Sequence, residues 1–91
     1  MKYYEVIVLR IRQLCKQRGF SINRLATMSG VSQSTIDNLV RGITKNPKII
    51  TLHKLAIAFN MTPAEFLNYP ALNDFSFEDE DDDGDGDGEN S

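Results

Sequence analysis

The chain has 91 residues, one cysteine and a net charge of −3. That length suits one small domain with little room for an enzyme pocket and its supporting shell. The single cysteine excludes an intramolecular disulfide and fits a reducing cytoplasm, and no run approaches the ~18 apolar residues of a membrane span. The net charge averages two unlike parts: residues 1–72 hold all ten Lys and Arg against Glu5, Asp37 and Glu65, hence +7, whereas residues 73–91 hold ten acids and no base, hence −10. A basic body suggests a polyanionic partner, and a block of like charge suggests a disordered acidic tail.

The opening, MKYYEVIVLRIRQL, is an apolar run interrupted by Arg10 and Arg12 with no small-residue cleavage site after it. It therefore reads as a helix and not as a signal peptide. Tyr4, Ile7, Val8, Ile11, Leu14 and Cys15 recur at helical spacing and predict a helix over residues 4–18, closed by Gly19. Arg10, Arg12 and Lys16 are assigned to its outer face.

Four further helices share one start signal: an apolar residue, a Ser or Thr, and a second apolar residue four positions after the hydroxyl. The sets are Phe20-Ser21 with Leu25, Val31-Ser32 with Ile36, Ile50-Thr51 with Leu55, and Met61-Thr62 with Phe66. The hydroxyl caps orphan amides and the apolar pair forms a staple. Pro63 at the first helical position and Glu65 in a capping box strengthen the last. The predicted spans are 21–29, 32–41, 51–59 and 62–68, with a loop at residues 42–48 marked by Gly42, Asn46-Pro47, Lys45 and Lys48. Leu52, Leu55, Ala56, Phe59, Phe66 and Leu67 are the apolar positions of the last two helices. No strand pattern is present. The expected architecture is all-α, a compact five-helix bundle.

Residues 22–41 organise the chain. Leu25, Ala26, Val31, Ile36 and Leu39 form an apolar skeleton, and Gly30 stands where one helix stops and the chain swings into the next. In the second of these helices, Ile36, Leu39 and Val40 share a stripe. Ser34, Asn38 and Arg41 point the other way, Asp37 lies on the flank, and Gln33 occupies the first turn. An ordinary solvated helix also has a polar outer face. These side chains are, however, those that pair with base edges: Gln or Asn with adenine, Arg with guanine, Asp with cytosine. This is the pattern of a DNA-binding helix-turn-helix.

From residue 20 to 67 the chain resembles the lambda-repressor-like helix-turn-helix family, the phage repressors and bacterial XRE-type regulators. The residues that carry the resemblance are Leu25-Ala26, Gly30-Val31-Ser32, Ile36, Leu39, Gly42, Lys45-Asn46-Pro47, Leu55-Ala56, Phe59-Asn60-Met61-Thr62 and Phe66-Leu67. With the first helix, it covers roughly residues 1–70, assigned as the DNA-binding domain. It implies sequence-specific binding of double-stranded DNA by a homodimer that regulates transcription. Base readers would be Gln33, Ser34, Asp37, Asn38 and Arg41. Phosphate contacts would come from Ser21, Asn23, Arg24, Ser32, Thr44, Lys45, Asn46 and Lys48, partly through amides at helix starts.

Two departures stand out. The family commonly has a glutamine that clamps a phosphate at the first residue of the motif, where this chain has Ile22, leaving Asn23 or Arg24 as replacements. Many members also bridge an arginine in the first helix to a glutamate at the end of the recognition helix. Here those positions are Cys15 and Val40, both apolar, an exchange that is often neutral or stabilising. Cys15 is accordingly read as a core residue.

Residues 71–77, ALNDFSF, bring Leu72, Phe75 and Phe77, which can dock back or meet a second subunit; the acid- and glycine-rich remainder lacks the apolar residues to fold. One histidine, His53, and one cysteine are too few for a Cys/His zinc site. Asp79, Asp81, Asp83 and Gly84 match part of a calcium loop, but Asn90 stands where Glu is needed and neither flank is helical. No catalytic trio or phosphate-cradling loop appears, so neither enzyme activity nor a cofactor is expected. The rival to DNA binding is a protein-interaction module, antitoxin-like or regulator-binding, with the tail as a DNA mimic.

Overall fold

Each helix begins where a backbone or side-chain group satisfies its orphan amides, and the five longest bury apolar residues on one side. The computed structural model describes residues 1–79. The elements are α1 (Tyr3–Arg18), α2 (Ile22–Ser29), α3 (Gln33–Val40), α4 (Ile49–Ala58), α5 (Pro63–Leu67), a one-turn α6 (Pro70–Asn73) and a 3-10 turn (Phe77–Asp79). There is no strand among the described residues, and no helix there is long and apolar enough to cross a membrane. The all-α architecture of five helices is present, with α6 added after it.

Three of the four hydroxyl signals act as read. The Oγ of Ser21 accepts from the Arg24 N–H at 3.0 Å, that of Ser32 from Thr35 at 3.1 Å, and Thr62 exchanges bonds with Glu65 at 3.0 and 2.8 Å in a capping box. The fourth does not. α4 starts at Ile49, with Lys48 extended as its cap, and the Thr51 N–H already bonds to the Lys48 carbonyl at 3.0 Å. Pro47 disfavours helix at Asn46 before it but places no restriction on the residues after Lys48, so the helix takes three residues more than a cap at Thr51 predicts. The expected staple from Ile50 is absent, since its side chain is 57% exposed. Ile49 and Ile57 are exposed too, beside exposed His53 and Lys54.

The core gathers Ile7, Ile11 and Leu14 of α1, Leu25 and Ala26 of α2, Ile36 and Leu39 of α3, Leu52, Leu55 and Ala56 of α4, and Phe59 and Phe66. Phe20, Phe59 and Phe66 lie nearly parallel in a row, with ring centroids 5.9 and 6.4 Å apart. Cys15 is buried in this core and Val40 packs against it, as does Ile22. Burial also pushes the pKa of the Cys15 thiol up, which leaves it a packing residue and not a nucleophile.

The outer-face assignment of α1 needs a correction at Arg10. Val6 and Arg10 are buried along with Ile7, Ile11, Leu14 and Cys15, so α1 is covered over a wider arc than its apolar stripe. Arg10 Nε donates to the Phe66 carbonyl and Nη2 to the Glu65 carbonyl, each at 2.8 Å, Nη1 donates to Gln13 Oε1 at 2.8 Å, and the guanidinium lies 5.2 Å from the Tyr69 ring centre. Arg18 does the same for α4: Nε and Nη2 reach the Phe59 carbonyl at 3.2 and 3.0 Å. Two arginines of one helix thus bond to carbonyls at the C-terminal ends of two others, those of Phe66 and Phe59 and, alongside the Asn68 N–H, that of Glu65. Outside the core, α6 packs on α1, Leu72 packs against the core, and Tyr3, Phe75 and Phe77 form an aromatic cluster with centroid separations of 5.0–5.5 Å.

Candidate nucleic-acid interface

The turn between α2 and α3 sets the geometry of the site. Gly30 has φ +76, a left-handed value that costs a side-chain-bearing residue about 1–2 kcal/mol, and its N–H closes α2 on the Ala26 carbonyl at 3.0 Å. The Val31 N–H then bonds to Ser29 Oγ at 3.1 Å. Ala26 is buried in the core with Ile36 and Leu39. Those two residues of α3 are 0% and 1% exposed, which fixes the rotation of the helix about its axis.

That rotation decides what α3 presents. Gln33, Ser34 and Arg41 are exposed; Asp37 and Asn38 are half-buried. Gln33 Nε2 donates to Asp37 Oδ1 at 3.4 Å, a long contact across one helical turn that neutralises no charge. The five residues assigned to base reading therefore share one outward surface, with Gln33 and Asp37 already paired on it. Thr35 is also exposed there and its hydroxyl accepts from Ser32 Oγ at 2.8 Å. Thr35 lies at the edge of the polar arc, where periodicity alone does not separate an exposed residue from a boundary one.

The residues assigned to phosphate fall into two groups. Ser21, Asn23 and Arg24 lie exposed at the start of α2, with the Arg24 guanidinium 5.4 Å from the Phe20 ring centre. Ser32 caps α3, exposed. Lys45, Asn46 and Lys48 are exposed on the loop after α3. Thr44 differs: it is half-buried and its N–H is used by the Asn38 carbonyl at 3.1 Å, so only its hydroxyl remains to face a ligand. The loop is held by Tyr4 of α1. Gly42 has φ +80 and a Cβ there would lie 3.3 Å from the Tyr4 ring, while Lys45 Nζ stands 5.4 Å from the centre of that ring. Tyr4 was read only as part of the apolar stripe; its role toward the loop has no local signature.

Arg24, Arg41, Lys45 and Lys48 thus flank a polar helix whose one acid is Asp37. No group of three metal-ligating side chains occurs among the described residues; Asp81, Asp83, Gly84 and Asn90 of the weighed calcium loop lie outside them.

A helix-turn-helix family model (HTH_3) matches residues 11–66. The chain belongs to the helix-turn-helix family. It is of the lambda-repressor-like, XRE type that residues 20–67 resemble. Among helix-turn-helix relatives, it is 36% identical over 58 residues to the transcriptional regulator SlrR of Bacillus subtilis (strain 168), covering 64% of this chain and 38% of that protein. The crystal structure of prophage Lp1 protein 11 superposes with a TM-score of 0.73 at 31% identity, over 81% of this chain and 99% of that one. The crystal structure of the biofilm master regulator SinR in complex with DNA superposes with a TM-score of 0.61 at 31% identity, over 68% and 98%. The helix-turn-helix chain spans 33–53% of the length of the first curated relatives it matches.

Proposed function

We propose that this chain is a sequence-specific double-stranded DNA-binding protein that regulates transcription, of bacterial or phage type, with α3 entering the major groove. The observation that carries this reading is the α3 surface itself: Gln33, Ser34, Asp37, Asn38 and Arg41 on one side of a helix whose other side is locked in the core. Arg24, Lys45 and Lys48 beside it supply the phosphate contacts, with Ser21, Asn23, Ser32, Thr44 and Asn46. A relative, SinR, is solved with DNA, which supports the same partner here. A solvated polar face with basic flanks favours nucleic acid over a protein as the partner of α3.

Residues 1–70 form the DNA-binding unit in this reading. The chain acts as a homodimer, with half-sites one helical turn apart, about 34–36 Å. Selection from a random duplex pool should enrich a near-palindromic site, and affinity for it should fall steeply with salt. Absence of both enrichment and salt dependence would overturn the proposal.

A further inference from the structure

We infer that the acidic segment, residues 78–89, docks on the basic residues Arg41, Lys45 and Lys48 of its own chain and competes there with DNA; the competition rests on the DNA-binding reading, the docking does not. The aromatic cluster fixes where the segment begins. Phe77 stacks on Tyr3, with ring centres 5.5 Å apart. Tyr4, the next residue, is the ring that Gly42 approaches and over which Lys45 Nζ stands at 5.4 Å. Adjacent Cα atoms are 3.8 Å apart, so the Phe77 ring lies within roughly 25 Å of the Lys45 ammonium by the longest route through both tyrosines. Twelve residues follow Asp79. At most ~3.6 Å each, they reach about 40 Å. The segment is therefore rooted beside the basic loop, with length to spare.

Charge selects the address. Residues 78–89 carry nine acids and no base. Arg10 is buried on the Phe66 and Glu65 carbonyls, and Arg18, though exposed, already spends Nε and Nη2 on the Phe59 carbonyl. Residues 41–48 carry three bases and no acid, on the loop that Tyr4, the neighbour of Tyr3, holds. Carboxylates spaced along a chain present to these side chains what a row of phosphates presents. Tethering through about a dozen residues holds them at an effective concentration in the millimolar range. A base-specific complex retains contacts that the segment cannot mimic, so displacement acts chiefly on non-specific DNA.

The test compares the full chain with a full-length variant carrying Glu80→Gln, Asp81→Asn, Asp82→Asn, Asp83→Asn, Asp85→Asn, Asp87→Asn and Glu89→Gln. Backbone amide spectra at low salt should differ at residues 41–48, independently of protein concentration, and converge when salt screens the charges. Identical spectra at low salt overturn the docking, as do differences confined to residues 10–18 or differences that grow with protein concentration, which would place the segment on a second copy. For a random-sequence duplex, the variant should bind several-fold tighter at low salt, with the gap closing at high salt. Equal affinities overturn the competition. If the spectra differ as stated while neither chain binds duplex, the docking stands and the DNA-binding reading fails.

Discussion

Arg10 carries three hydrogen bonds from one guanidinium, two of them to the carbonyls that end α5. Its planar fork fits both at once, and the buried carbonyls have no other donor of that shape nearby. Arg10→Met fills similar space but leaves the Phe66 carbonyl unpaired and the Glu65 carbonyl with the Asn68 N–H alone, and should destabilise the chain by about 1–3 kcal/mol. Urea unfolding measures this; a loss below about 0.5 kcal/mol would mean that water replaces the guanidinium without penalty. The outward residues of α3 obey a different logic, because in the proposed function they serve binding, while Ile36 and Leu39 on its other side serve the fold. Asn38→Ala should relax the selected sequence at one base position, at about 1–3 kcal/mol of discrimination. Lys45→Ala should weaken all duplexes alike and flatten the salt slope by about one unit. An unaltered selected site for both Asn38→Ala and Gln33→Ala would show that another part of α3 reads the bases.

At the scale of elements, the loop after α3 depends on α1. Gly42 combines φ +80 with the Tyr4 ring 3.3 Å from the position of a Cβ. Gly42→Ala should therefore cost about 1–2 kcal/mol of stability from the backbone alone. It should also lower duplex affinity by displacing the loop that carries Lys45. Unfolding and binding titrations on the same protein check this, and a variant with both values unchanged would show that the loop relaxes freely. The helices themselves were legible to different degrees. Where a hydroxyl signal coincides with a chain reversal, as at Ser21, Ser32 and Thr62, the start is correct to the residue. At Thr51 no reversal occurs, and the cap of α4 falls three residues earlier, at Lys48, because nothing in the chain after it opposes the helix.

For the molecule as a whole, the segment after Leu67 has two faces. Leu72 and Phe75 are half-buried against the same chain, which uses part of the apolar surface expected to be open to a partner, while Phe77 remains 67% exposed. An exposed ring on the outside of an aromatic cluster is the type of surface that pairs with a second copy. If the proposed dimer uses this ring, Phe77→Ser in the full chain should weaken it about tenfold, equivalent to about 1.4 kcal/mol, in sedimentation equilibrium. An unchanged dimer would place the interface elsewhere, with Ile49, Ile50 and Ile57 on α4 as the next surface to substitute. The sequence by itself determined the helix count up to α5, the turn at Gly30, the buried face of α3 and the charge division, because periodicity, capping and composition are local properties. Folding alone turns Arg10 inward, brings the exposed Arg18 to the Phe59 carbonyl, sets Tyr4 against the loop and stacks Phe77 on Tyr3. Each of those depends on carbonyls or rings dozens of residues away in the chain, and a hydrogen-bond acceptor brought close by folding leaves no periodic trace in the residue that finds it.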